Sequence, residues 1–156
     1  MAVQIIAVGQ KMPQWVEQGF ADYAKRFPRG QSVQLVEIPV APRKSTQPVE
    51  RLQQQEAERI LKQCQSGGLL IALDERGKQW SSREWGEHYR DWQQNRPRVD
   101  LVLGGPDGLH PDLLSRADLR LSLGRMTLPH GLARVVLIEQ LYRAWSLSQG
   151  HPYHRE

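Results

Sequence analysis

At 156 residues, with 39% hydrophobic and 24% charged side chains, the chain has the size and balance of a single globular domain over residues 1–156. Its 21 Lys and Arg against 17 Asp and Glu leave a net charge of +4, which admits an RNA partner without requiring one. Cys64 is the only cysteine, which excludes an internal disulfide and a cysteine-based zinc site; no metal is expected, and with neither a basic leader nor an apolar run near the ~18 residues of a membrane span, a cytoplasmic protein is.

Val3 to Val8 is apolar with little alternation, the pattern of a buried parallel strand. Gly9 to Met12 forms a turn, and Pro13 suits the first turn of a helix. Val16, Phe20, Tyr23 and Phe27 then recur at helical spacing up to Pro28, with Glu17, Asp22, Lys25 and Arg26 off the stripe. Ser32 to Ile38 alternates as a second strand. The proline-rich run from Pro39 to Pro48 is a loop, and its Arg43 and Lys44 either touch phosphate or are simply solvated. Val49 to Gln65 carries a thin apolar stripe (Val49, Leu52, Ile60, Leu61, Cys64), which predicts a helix lying on the surface and stopped at Gly67-Gly68.

Leu69 to Leu73 is a third strand, expected to end at Asp74 with a turn over Glu75 to Lys78. Ser81 and Glu84 have capping-box spacing, so a helix should begin there and bury Trp85, His88 or Tyr89, and Trp92. Val99 to Leu103 is strand four, followed by Gly104-Gly105-Pro106-Asp107-Gly108. Leu119, Leu121 and Leu123 mark strand five. The alternation of strands and helices predicts a three-layer α/β fold with a parallel sheet. In such sheets ligands sit beyond the carboxyl ends of the strands, so the exits at Leu73-Asp74, Leu103-Gly104 and Leu123-Gly124 become the candidate site.

The glycine turn is either a tight turn alone or a place where backbone meets a ligand. It is a poor phosphate cradle: no P-loop or dinucleotide glycine motif is present, Pro106 lacks an N–H, and Asp107 puts a negative charge there. His130 either packs or caps at the start of the last helix, or has a role in the site. From Leu132 to Leu147 the apolar residues cover more than one helical face, which predicts burial on two sides, by the sheet and by a second copy of the chain. Glu139 and Arg143 are a surface pair or line a site.

Four stretches carry a resemblance that spans the whole chain: Ile6-Ala7-Val8-Gly9-Gln10-Lys11-Met12-Pro13, Leu128-Pro129-His130-Gly131-Leu132-Ala133-Arg134-Val135, Glu139-Gln140-Leu141-Tyr142-Arg143-Ala144-Trp145, and Pro152-Tyr153-His154-Arg155. Together they resemble the ribosomal large-subunit methyltransferase H family of the SPOUT superfamily. The resemblance implies an α/β fold with a C-terminal trefoil knot, a homodimer, S-adenosyl-L-methionine (SAM) as cofactor, and methylation at N3 of a pseudouridine in 23S rRNA on assembled ribosomes. It implies cofactor contacts at Leu73, Gly104, Leu123, Gly124, Arg125, Met126, Thr127 and Leu128, the same strand exits.

For the chemistry, His154, Tyr153 and Arg155 are the catalytic candidates, with Glu139 a weaker one. Arg134, Arg143 and Lys11, with the Arg43-Lys44 loop, are the candidate phosphate contacts. Two other classes stay open: a non-catalytic ribosome-binding factor of the same fold, and a nucleotide or phosphate-ester enzyme, which the missing phosphate motifs disfavour.

Overall fold

The computed structural model describes residues 1–42, 46–64 and 67–153. In chain order the elements are β1 (Ala2–Val8), α1 (Gln14–Ala24), β2 (Val33–Ile38), α2 (Val49–Gln63), β3 (Leu69–Gln79), α3 (Ser82–Asn95), β4 (Arg98–Leu103), α4 (Pro111–Arg116), β5 (Leu119–Ser122) and α5 (His130–Gln149). All five strands are parallel, in the order β2-β1-β4-β3-β5.

Alternate residues of the strands feed two separate cores, as the pleat requires. Ile5, Leu101 and Ile71 pack with α1, α3 and α5 on one face of the sheet. Ile6 and Val102 pack with α2 and α4 on the other. The expected three layers follow. No helix among the described residues is long and apolar enough to cross a membrane.

Local signals fixed the elements that need no distant partner. Ser81 Oγ accepts from the Glu84 amide at 3.1 Å, and Glu84 Oε1 accepts from the Ser81 amide at 2.9 Å, closing the predicted capping box. Trp85, Tyr89 and Trp92 are buried, whereas His88 stacks on Trp80 at 3.8 Å with an interplanar angle of 5°.

Three expectations are corrected, and one helix is added. The stretch Glu75 to Lys78 is not a turn: β3 continues to Gln79, and after an irregularity between Leu73 and Lys78 it pairs again with β5 at Leu121 and Ser122. Gly77 permits this, because a Cβ there would lie 2.6 Å from the carbonyl carbon of Arg120. The helix α4 has no forecast; its cap is His110, whose Nδ1 accepts from the Asp112 amide at 3.0 Å, with Pro111 opening the first turn.

In α2 the buried face is Leu52, Glu56, Ala57 and Ile60, while Val49 is 51% exposed. Glu56 is buried because its Oε2 accepts from the Ala41 amide at 2.9 Å. Finally, the second side of α5 is covered within the chain, by α1 and α3, and Leu141 is fully buried in that core. The two-sided burial of α5 therefore calls for no second copy, and Leu141 is not an interface residue.

Candidate functional site

Strand β3 lies between β4 and β5, so the three candidate exits are neighbours, and beyond them opens a cleft of about 620 Å³. Its floor is apolar: Leu73, Leu103, Leu109, Leu114, Leu121 and Leu123. One wall is the glycine turn. Gly108 N donates to Gly105 O at 2.9 Å, and Gln53 of α2, which also lines the cleft, holds the turn by donating to the Asp107 carbonyl at 2.6 Å.

The other wall is the segment after β5. Ser122 Oγ accepts from the Gly124 amide at 3.2 Å and donates to the Gly124 carbonyl at 2.8 Å, folding the chain sharply around a glycine with φ +143°. That conformation strains any side chain, so Gly124 keeps this wall as bare backbone. The first turns of α5 add His130 and Ala133, and Asp74, Glu75 and Arg76 form the rim. Arg76 Nε stands 3.9 Å from Asp74 Oδ2.

The cleft thus gathers Leu73, Gly104, Leu123, Gly124, Met126, Thr127 and Leu128. Arg125 is exposed and does not line it. Sequence reasoning missed Gln53, the rim residues Glu75 and Arg76, and the contribution of α4. Among the rim residues only Asp74, at a strand exit, carried a usable signal.

The candidate RNA contacts differ among themselves. Lys11 is exposed on the turn after β1, with φ +59°. Arg134 is 2% exposed; its Nη1 donates to Glu37 Oε2 at 2.7 Å and its Nη2 to the Gly9 carbonyl at 2.8 Å. It braces the β1–α1 turn against α5 and presents no charge to solvent, which corrects its assignment as a phosphate contact. Arg143 is bound to Glu139 through Nε at 3.0 Å and Nη2 at 2.6 Å, so much of its charge is already answered. Arg43 and Lys44 lie outside the described residues, as do His154 and Arg155.

Of the catalytic candidates, Tyr153 is described. The helix ends at Gly150 in the left-handed conformation, His151 N donates back to Ser146 O at 2.9 Å, and the chain returns along α5. Tyr153 Oη donates to Glu139 Oε1 at 3.0 Å. Burial, helped by hydrogen bonding with Tyr23 and Glu139, pushes the Tyr153 phenol well above its ordinary value. In this arrangement the phenol keeps its proton and donates it in a hydrogen bond to the Glu139 carboxylate.

A family model described as "Predicted SPOUT methyltransferase" matches residues 1–154. The chain belongs to the SPOUT methyltransferase family. Relatives described as "Ribosomal RNA large subunit methyltransferase H" are similar over their full length. The one from Hahella chejuensis is 47% identical over 156 residues, covering all of both chains. Those from Marinomonas sp. and Burkholderia cenocepacia are 44% and 46% identical over 155 residues, each covering 99% of this chain and 100% and 99% of their own. The membership agrees with the α/β architecture and gives the cleft at the ends of β3, β4 and β5 a methyltransferase setting.

Proposed function

We propose that the protein is a SAM-dependent methyltransferase that modifies N3 of a pseudouridine in 23S rRNA on assembled ribosomes, as a cytoplasmic homodimer with the C-terminal threading of its family. The observation that carries the reading is the cleft itself: an apolar floor with glycine backbone in both walls at three adjacent strand ends, in a chain of this family. Its donor set suits SAM. Asp74, Glu75 and Asp107 stand around it with Arg76 as the one Lys or Arg among the described lining residues, and Pro106 removes an amide from the turn, so a cation fits better than a polyphosphate.

When bound, the cofactor supplies a methyl already activated by its sulfonium. The chain's own residues then bind, align and manage one proton. Backbone groups at Gly104 and along Leu123 to Leu128 hold the adenosine part, and the leucines of the floor exclude water. The acceptor nitrogen must lose its proton to react well, and a positioned base contributes ~10²–10⁴-fold. We assign that proton to His154, with Arg155 facing the charge that develops on the flanking carbonyls, and Tyr153 holding the tail. Of the predicted RNA contacts Lys11 is exposed, and Arg125, exposed between lining residues of the cleft, is a second cation placed for RNA phosphate.

The anchoring of Tyr153 supports the dimer. Tyr153 is fastened at Glu139, nine residues along α5 from His130 at the cleft edge, about 13 Å at 1.5 Å per residue. With Tyr153 held at that distance along the helix, the tail is proposed to serve a partner's cleft. Trp15 and Leu132, 56% and 36% exposed, offer an apolar surface: they flank Val16 and Gly131, which are in contact where α1 and α5 begin.

The test is transfer of labelled methyl from SAM to ribosomes lacking the modification, beside free 23S rRNA and small subunits. Label at N3 of one pseudouridine, in assembled ribosomes only, is expected. A folded protein that binds ribosomes and transfers no label anywhere overturns the assignment in favour of a binding factor.

A further inference from the structure

One oxygen of Glu139 accepts three hydrogen bonds. Two come from Arg143, from Nε at 3.0 Å and Nη2 at 2.6 Å, and the third from Tyr153 Oη at 3.0 Å. The same arginine also sits over the tyrosine ring, with its guanidinium carbon 5.1 Å from the centroid. Arg26 approaches that ring at 5.8 Å, and Tyr142 meets it edge-on at 4.7 Å. Tyr153 N donates to His151 Nδ1 at 3.2 Å, completing the reversal that starts at Gly150. Neither Glu139, Arg143 nor Tyr153 lines the cleft.

A pair at i,i+4 on an exposed helix face would hold its charges against each other and stop there. Here Glu139 is half-buried, and its arginine turns it into a fixed, neutralised acceptor aimed at a residue fourteen positions further on. The tail has apolar contacts, backbone bonds at His151 and Tyr153 and a hydrogen bond with Tyr23 as well, but this is the one made to a charged acceptor. Hydrogen bonds to a charged acceptor are shorter and stronger than neutral ones, and they set orientation as well as distance. Removing the acceptor leaves the ring in its aromatic nest while the hydroxyl, and the backbone behind it, lose their register.

We propose that Glu139 is a positioning residue that fastens the tail through Tyr153, with Arg143 holding its carboxylate in place, and so fixes the position of the residue that precedes the proposed catalytic pair His154 and Arg155 in the sequence. Glu139 neither takes a proton nor touches RNA in this account, and Arg143 serves the carboxylate before it serves phosphate. The inference rests on the proposed role of the tail in methyl transfer.

The test uses the full chain as Glu139→Ala, Tyr153→Phe, the double variant and Glu139→Gln. Methyl transfer to ribosomes gives kcat and KM, SAM affinity is measured by calorimetry, and amide hydrogen exchange is followed at His151 and Tyr153 without cofactor. Each single variant is expected to lower kcat at least about tenfold, since misplacement near 1 Å costs on the order of 10². SAM affinity should stay within about twofold. The double variant should be no worse than the worse single one, because both remove the same bond. Glu139→Gln, which keeps an acceptor oxygen, should recover part of the loss.

Multiplying losses in the double variant, unchanged kcat in the singles, or SAM affinity falling in step with kcat would each overturn the proposal. Should the wild-type chain transfer no methyl at all, the functional reading fails separately, and exchange decides the fastening. Faster exchange at His151 and Tyr153 in both single variants upholds it, and unchanged exchange refutes it.

Discussion

Replacing Arg134 by Met separates a structural arginine from an RNA-binding one. The methionine keeps much of the stem's volume and removes the charge. Two interactions go. The Gly9 carbonyl, on a buried residue, loses a charged donor at 2.8 Å, a loss of about 1.5–3 kcal/mol. The Glu37 pair at 2.7 Å contributes less, because the Glu37 side chain is 36% exposed and regains water; about 1 kcal/mol or below is appropriate. The sum is about 2–4 kcal/mol. At roughly 2–4 °C per kcal/mol for a chain of this size, the melting temperature falls by about 4–16 °C. Circular dichroism melts of the free protein measure this, alongside KM for ribosomes at a temperature where both proteins are folded. The expected result is a large drop in Tm with KM changed less than about twofold. An unchanged Tm with weakened ribosome binding would refute the bracing role and return Arg134 to the RNA face.

Other substitutions probe the same framework. Leu141→Arg places an unpaired charge in a fully closed core and should cost more than about 4 kcal/mol, leaving the chain unfolded or insoluble; a folded monomer by sedimentation would show instead that this residue faces a partner. Gly77→Ala forces a Cβ against the Arg120 backbone at 2.6 Å and should lower stability to urea by about 1–3 kcal/mol; an unchanged transition midpoint contradicts the close β3–β5 approach. Cys64 tests burial by chemistry. Desolvation, reinforced by Asp100, pushes its thiol up to about 11, against about 8.5 for a free thiol. At pH 8 the thiolate is then about 200-fold scarcer than in the unfolded chain, and alkylation should slow in proportion. Because the folded value is raised, this group's contribution to stability is present below pH ~8.5 and is lost as pH rises through about 11. Equal alkylation rates in native and urea-unfolded protein would refute it.

What could be read from the sequence is what is local. The capping box at Ser81 and Glu84 sits within four residues, and the strand exits announce themselves because apolar runs stop at Asp74, Gly104 and Gly124. That these exits form one site is not local: it depends on β3 lying between β4 and β5. The run Glu75-Arg76-Gly77-Lys78 has the composition of a turn, and only pairing with β5, more than forty residues later, keeps it extended. The apolar surround of α5 correctly announced two-sided burial, but a helix cannot say what covers it; α1 and α3 do. Arg134, set among apolar neighbours, gave no sign of Gly9 and Glu37, each roughly a hundred residues away in the chain. The glutamate that receives Tyr153 was visible as half of a helical pair, while its third partner appears only when the tail turns back at Gly150.

The most direct test of the account is a titration of the isotope-labelled protein with SAM, followed at backbone amides. Saturable shifts confined to Leu73, Gly104 and the Leu123 to Leu128 segment are predicted, with the Glu139–Tyr153 region unmoved. No saturable binding, or shifts centred away from the ends of β3, β4 and β5, would contradict the claim that this cleft is the methyl-donor site.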